Sequence, residues 1–267
     1  MSYILQILVR AMVETVYLVG IIILIGLIFG ILRDNSIKNF QRSFGFKAIM
    51  LTGIIGVPIH ELSHGILAVI FGHKITKVKL FQKPDSTGTM GYVRHSYNPT
   101  NLYQQVGNFF IGVAPIFGGG ISIIVLMYFM LPNAFKEYII ILKNSFNIAT
   151  INSNILKEII YSYFQLFTKI FSFSSFKEPL FYVFIIFAIC IASHISLSMA
   201  DIKGAARGLI VIYFILLFIN VLGLRVNVVA NYIITYNILI TGILIVALFL
   251  SFFTFLISVI SLVITNK

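Results

Sequence analysis

Long apolar runs, separated by short polar segments, set the pattern of this chain. Six of these runs approach or exceed the roughly 20 residues that an α-helix needs to cross the hydrocarbon core of a bilayer. We predict membrane spans at residues 12–32, 46–71, 107–131, 179–200, 208–224 and 236–264. The pattern thus predicts an all-α polytopic membrane protein of about six transmembrane helices, in which residues 1–267 form a single membrane-embedded domain.

Three of the segments between the predicted spans have a pattern of their own. Residues 33–45 are predicted to form a short, basic loop. Residues 74–97 contain two runs of β-forming residues on either side of the turn-rich sequence KPDSTG, which predicts a membrane-associated β-hairpin between the second and third spans. In the 132–178 segment, lysine and aromatic residues recur at helical spacing, which favours interfacial amphipathic helices.

The composition agrees with an integral membrane protein. Hydrophobic residues make up 59% of the chain and charged residues 10%, whereas soluble domains have about 25% charged residues. The net charge of +11 suits contact with the anionic headgroups of a lipid bilayer. The basic residues form no clustered stripe, which argues against nucleic acid as a partner. Cys190 is the single cysteine, so the chain has no internal disulfide.

The second predicted span carries the strongest chemical signal. Its sequence HELSH places His60 and His64 on one face of a helix, where both imidazoles can bind one metal ion. Glu61 lies beside them, where its carboxylate can take a proton from a water that the metal activates. Ionisable groups are costly inside a span, which favours a functional role over a pair of packed, hydrogen-bonded histidines. The sequence therefore predicts a metallohydrolase site within the membrane.

A zinc site needs a third protein ligand and an open position for water. The candidates are Asp201, His194, His73 and His95. We favour Asp201, because an unpaired carboxylate at membrane depth needs a cation. In a continuous helix, His194 shares a face with Asp201, so it is either a group that supports the site or the competing ligand. Helix capping by Asp201 and an interhelical hydrogen bond of His194 are the alternative roles.

The third predicted span contains the sequence GVAPIFGGG. Glycines within a span let helix backbones approach closely, and a proline such as Pro115 frees a backbone carbonyl. Two roles are open for this segment: a notch for helix packing, or a part in shaping the site.

These motifs together resemble the site-2 protease family of intramembrane zinc metalloproteases. The shared features are HELSH in a span, a hairpin after it, a third span with Gly and Pro, and SMADIKG after a later span. The resemblance covers roughly residues 46–210, with an extra helix at 12–32 and further helices at 208–264. Two motifs differ. The family's adjacent Asp and Gly are separated here as Asp201-Ile202-Lys203-Gly204, and its GPxxN-like element has Gly118 in place of Asn.

The resemblance implies an enzyme and a set of roles. One Zn²⁺ per chain would be held by His60, His64 and Asp201, with Glu61 as the general base. The substrate would be a transmembrane protein or peptide, cleaved in or near its membrane segment, and a further membrane partner could regulate cleavage. The implied location is a prokaryotic cell membrane. The predicted substrate-binding residues, in the hairpin and the third span, are Val78, Leu80, Tyr92 and Pro115.

Three other functions compete with this one. In gluzincin proteases a later Glu completes the zinc site, and Glu158 or Glu178 would serve here. A non-catalytic metal-binding or immunity-type membrane protein would keep the histidines, although it has no need of Glu61. A metal or proton transporter could use the same ionisable groups as a path, but no internal repeat is evident in the sequence.

Overall fold

The computed structural model describes residues 3–85, 88–146, 153–223 and 229–265. Those residues form eight α-helices, one two-stranded sheet and a short 3-10 helix at Ser175–Lys177. The helices are α1 (Tyr3–Phe44), α2 (Phe46–Ile70), α3 (Leu102–Met130), α4 (Pro132–Phe146), α5 (Ser153–Ile170), α6 (Pro179–Ala192), α7 (Met199–Val221) and α8 (Val229–Thr265). The strands are β1 (Lys74–Lys79) and β2 (Tyr92–Ser96).

Five helices in the described part of the chain are long and apolar enough to cross a membrane. They are α1, α2, α3, α7 and the Tyr236–Thr265 part of α8. The prediction of a polytopic, all-α membrane protein is therefore confirmed in its main feature. Apolar side chains are exposed along these helices, as expected where lipid replaces water as the solvent.

The predicted span at 179–200 differs from the structure. Helix α6 has 14 residues, so it is about 21 Å long, shorter than the roughly 30 Å hydrocarbon core of a bilayer. The helix ends at Ala192, because the chain turns at Ser193 and Ser198 caps the next helix. Helix α7 consequently begins at Met199, well before the predicted start of the fifth span at residue 208.

The predicted loop at 33–45 is also wrong, because α1 continues through it as far as Phe44. Its polar residues recur on the exposed side of the helix, whereas Ser36 and Phe40, four residues apart, are buried. Asn39 donates a hydrogen bond to Ser258 of α8 at 3.1 Å. The chain turns only at Gly45, whose φ of 71° suits a residue without a side chain.

Two amphipathic helices, α4 and α5, lie within the predicted 132–178 segment. Each turns an apolar face inward, and α4 packs against both α5 and α8. Tyr138 and Leu166 are among their fully buried side chains. The position of these two helices relative to the lipid headgroups stays a prediction.

The predicted β-hairpin is present between α2 and α3. Strands β1 and β2 pair antiparallel, with Val78 opposite Val93 and Lys79 opposite Tyr92. The hairpin packs against α2 through both strands. It therefore lies next to the helix that carries HELSH.

Helix α3 occupies the centre of the bundle, where it contacts α2, α6, α7 and α8. Small residues allow these close contacts. A methyl group at Gly118 would collide with Ser63 of α2, and one at Gly119 would collide with the Ile195 side chain. The glycines of the third span thus form a helix-packing notch, and the notch also brings α3 against the turn that precedes Asp201.

Candidate metal centre

The two HELSH histidines face each other on adjacent turns of α2. Their Nε2 atoms are 3.3 Å apart, and their ring centroids are separated by 5.0 Å. His64 is buried and His60 is partly buried. The helical spacing that the sequence predicted therefore brings two ring nitrogens to one point.

The other nitrogen of each ring is held by a backbone carbonyl. His60 Nδ1 lies 3.1 Å from the His194 carbonyl oxygen, and His64 Nδ1 lies 2.7 Å from the carbonyl oxygen of Ile111 in α3. A carbonyl oxygen can only accept a hydrogen bond, so each Nδ1 carries the proton. When both rings are neutral, each presents an unprotonated Nε2 to the other. Two lone pairs 3.3 Å apart then attract a cation, either a metal ion or a proton. Histidines that bind a metal commonly donate the other ring N–H to a backbone carbonyl in this way.

Asp201 brings a carboxylate to the same point from the first turn of α7. Its Oδ1 is 3.2 Å from His64 Nε2, and its Oδ2 is 3.9 Å from His60 Nε2. A capping box fixes the side chain, because Oδ2 accepts the Ser198 N–H at 2.7 Å while Ser198 Oγ accepts the Asp201 N–H at 3.2 Å. Asp201 is thus a helix-capping residue and a member of the cluster at once: Oδ2 accepts the capping hydrogen bond, and Oδ1 lies closest to a ring nitrogen of the cluster.

The three side chains could hold a metal ion. Their ligand atoms all lie within 4.8 Å of one another. Tetrahedral zinc with bonds of about 2.0–2.1 Å separates its ligand atoms by about 3.3–3.4 Å. Two of the observed separations, 3.3 Å and 3.2 Å, are close to that value without further movement. The donor set of two imidazoles and one carboxylate is also one that zinc enzymes use.

Glu61 lies beside the cluster on the wall of a cavity of about 420 Å³. Its side chain is buried, and its carboxyl group interacts with the backbone amide of Val93 in β2. The hairpin approaches this closely because Gly91 has no side chain: a methyl group there would lie 2.9 Å from Glu61 Cγ and 2.7 Å from Val57 Cγ1. The base that the sequence predicted thus lies between the cluster and the hairpin.

Four segments enclose the cavity. Helix α2 contributes the two histidines and Glu61, and the hairpin contributes Tyr92 and Val93. Helix α3 lines a further side, and the first turn of α7 lines the last. Gly112 allows α3 to press against α7, because a methyl group there would lie 2.6 Å from the Asp201 carbonyl oxygen. The cavity wall is partly polar, so it can admit water.

The imidazole of His194 lies outside the cluster. Its Nε2 is 3.2 Å from Thr52 Oγ1 of α2, and the side chain is buried. The prediction that His194 and Asp201 share a helix face is wrong, because α6 ends before His194 and Asp201 belongs to α7. The backbone carbonyl of His194, rather than its side chain, supports the site.

The other two candidate histidines form a separate pair. His73 Nε2 donates to the Gln104 carbonyl at 2.8 Å, so neutral His73 accepts through Nδ1. His95 Nδ1, 2.9 Å away, is then the donor. His95 also lines the metal-site cavity. Burial, followed by the neighbouring His73 and His64, holds the pKa of His95 below its ordinary value.

The remaining predicted residues are spread over the molecule. Tyr92 lines the cavity, whereas Val78 is exposed on β1, Leu80 follows that strand, and Pro115 is buried inside α3. These three residues are not among those that line the cavity in the described chain. Their substrate-binding role stays a prediction.

The two glutamates of the gluzincin alternative lie elsewhere. Glu158 and Glu178 are both exposed, on α5 and before α6. Neither belongs to the metal-ligand cluster found among the described residues.

Three supporting groups were missing from the sequence prediction: the carbonyls of Ile111 and His194, and the hydroxyl of Ser198. The His194 carbonyl carries no sequence signal of its own, and Pro115, four residues after Ile111, signals a freed carbonyl but not its partner. Ser198 does carry one, because Ser-Met-Ala-Asp before an apolar run is a capping-box pattern.

Comparison with models of known protein families, with curated proteins and with solved structures gives no match to this chain.

Proposed function

We propose that this chain is an intramembrane zinc endopeptidase, which hydrolyses a peptide bond in or near a membrane-spanning segment of a protein or peptide. One observation carries the proposal. Two imidazoles and a carboxylate converge on one point, and a buried glutamate lies on the wall of the same cavity. A metal-binding protein without catalysis has no need of that glutamate.

His60, His64 and Asp201 would hold the metal, and the donor set favours zinc. Bound there, zinc would acidify a water molecule to a pKa of about 7 and polarise the carbonyl of the scissile peptide. The carbonyls of Ile111 and His194 keep the two imidazoles in the tautomer that binds metal.

Glu61 is the general base and acid of the proposed reaction. Its carboxylate accepts the proton of the attacking water and then delivers it to the leaving amine. The Val93 amide interacts with the Glu61 carboxyl group and so restrains its orientation. The hairpin forms this side of the cavity wall, through Gly91, Tyr92 and Val93.

The proposed substrate enters the cavity as an extended strand. A membrane helix hides its carbonyls in hydrogen bonds to the fourth following residue, so it must unwind before a peptide bond can be attacked. The hairpin offers extended backbone on one wall, at Tyr92 and Val93. Pairing with that backbone would keep an unwound segment open.

Glu61→Gln tests the assignment directly. The amide cannot accept the water proton, so cleavage is expected to fall by at least about 100-fold, while zinc binding is kept. The measurement uses protein purified in detergent and reconstituted in liposomes, with fluorescently labelled single-span peptides as substrates and zinc determined by elemental analysis. Glu158→Gln is the matched control, because this exposed glutamate lies outside the cluster.

The outcomes separate the competing functions. Equal cleavage by wild type and Glu61→Gln would contradict the role of the base. One zinc per chain without cleavage of any peptide would favour a non-catalytic metal-binding protein or a transporter. Absence of zinc from the wild type would overturn the metal assignment itself.

A further inference from the structure

Pro115 lies in the interior of α3, four residues after Ile111. In a regular helix the N–H of residue 115 would bond to the Ile111 carbonyl. Proline has no N–H, so that carbonyl lacks its intrahelical donor. Both residues are buried, and a buried carbonyl needs another partner.

His64 supplies that partner. Its Nδ1 lies 2.7 Å from the Ile111 carbonyl oxygen, a short contact for a nitrogen donor. The hydrogen bond joins α2 to α3 and holds the proton of His64 on Nδ1, so that Nε2 faces His60 and Asp201. The direction of this one carbonyl therefore sets both the tautomer and the orientation of a metal ligand.

The second imidazole is held in a comparable way. His60 Nδ1 bonds to the carbonyl of His194, which lies two residues beyond the end of α6. That carbonyl lies outside the helix, so no intrahelical N–H bonds to it. Neither carbonyl is used in regular helical hydrogen bonding. The partner of His60 lies beyond a helix end, and the partner of His64 is freed by a proline.

We propose that Pro115 is a positioning residue of the metal centre, which acts by withholding an N–H from the Ile111 carbonyl and so leaving that carbonyl to orient His64. The inference rests on the proposed metal site, and it gives a function to a proline that does not line the cavity.

Pro115→Ala is the first test. Alanine fits in place of proline and restores the N–H, which then competes with His64 for the Ile111 carbonyl. Zinc affinity, measured by competition with a chelating dye in detergent, is expected to fall by about 10-fold, at the lower end of what loss of a ligand's hydrogen-bond partner costs. Circular dichroism and thermal unfolding check that the variant keeps its fold.

An ester variant separates the missing N–H from the shape of the ring. Replacing Pro115 with lactic acid, the hydroxy-acid analogue of alanine, removes the N–H without restoring the ring. Zinc affinity near that of the wild type is expected for this variant. Pro58→Ala is the matched control: Pro58 is an in-helix proline of α2, and neither ligand imidazole bonds to the carbonyl that it frees, that of Ile54.

Each outcome decides the inference. Lower affinity with Pro115→Ala, rescue by the ester and little change with Pro58→Ala support it. Unchanged affinity with Pro115→Ala, equal losses in the alanine and ester variants, or equal losses with Pro115→Ala and Pro58→Ala would overturn it. A wild-type protein that binds no zinc would instead overturn the proposed function, so the two failures are distinguishable.

Discussion

Two pairs of close histidines lie within this structure, and they differ in the hydrogen bonds that their ring N–H groups donate. In the pair His60 and His64, backbone carbonyls accept hydrogen bonds from Nδ1 of both rings, so in the neutral rings the two Nε2 atoms face each other without a proton. In the pair His73 and His95, a carbonyl accepts a hydrogen bond from only one ring, and a ring proton lies between the two imidazoles. The neutral first pair is therefore suited to bind a cation, whereas the second pair forms a complete hydrogen bond.

The comparison shows that distance alone does not identify a metal site. The nitrogens of the second pair are closer, at 2.9 Å against 3.3 Å. The two pairs differ instead in the number of ring protons relative to hydrogen-bond acceptors. They also differ in the carboxylate of Asp201, which lies beside the first pair only. Substitutions at each pair provide direct tests of this difference.

Removal of one ligand gives the largest expected effect. His64→Gln should lower zinc affinity by more than about 100-fold, since loss of a ligand's hydrogen-bond partner alone costs 10–100-fold. His95→Gln, in the second pair, should retain one zinc per chain. Elemental analysis of the two purified variants makes the comparison, and equal zinc loss in both would show that the two pairs are not distinct.

Removal of a helix cap next to either pair is expected to have an intermediate effect on stability and zinc binding. Ser198 caps the helix that carries Asp201, and Asn101 caps α3, whose Gln104 carbonyl accepts the hydrogen bond from His73. Replacing either residue with alanine should cost about 1 kcal/mol in free energy of unfolding. Ser198→Ala alone should also weaken zinc binding, by about 10-fold, because Asp201 loses the hydroxyl partner that fixes its backbone.

Dye competition and thermal unfolding of the two cap variants check this expectation. If Asn101→Ala weakened zinc binding as much as Ser198→Ala, helix destabilisation rather than the position of Asp201 would be the cause.

The smallest expected effect is a change in how stability depends on pH, caused by His95 of the second pair. Burial and the neighbouring His73 and His64 hold the pKa of His95 below its ordinary 6.5 in the folded chain. As the pH falls below about 6.5, His95 therefore takes up a proton more readily in the unfolded chain than in the folded chain. The free energy of unfolding decreases in that range as a result. His95→Gln should therefore lose less stability than the wild type between pH 7.5 and 5.5. Parallel curves of melting temperature against pH would contradict the expectation.

Four residues that meet at one cavity were predictable from the sequence: His60, Glu61, His64 and Asp201. The first three follow from helical spacing, and Asp201 follows from the cost of an acid at membrane depth. These predictions depend on spacing along one helix and on the chemistry of single residues, so they did not require the arrangement of the helices.

The sequence did not predict where the helices end. The 33–44 segment is polar, and tertiary contacts explain why it continues α1: Ser36 and Phe40 are buried, and Asn39 bonds to Ser258 of α8. The apolar stretch around His194 gives no sign that the chain turns there, although Ser198 and Asp201 mark the start of the next helix. Carbonyl directions depend on such ends and on tertiary contacts, so the hydrogen bonds that support the site were not accessible from the residue pattern.

The capping box of Asp201 has a consequence for coordination number. One carboxylate oxygen, Oδ2, already accepts a hydrogen bond from the Ser198 amide at the helix start. Oδ1 accepts no hydrogen bond from that amide and lies 3.2 Å from His64 Nε2, so it is the carboxylate oxygen better placed to bind a metal ion. Binding through Oδ1 alone would give the protein three donor atoms and would leave the fourth position of a tetrahedral zinc site open for water, as in catalytic sites.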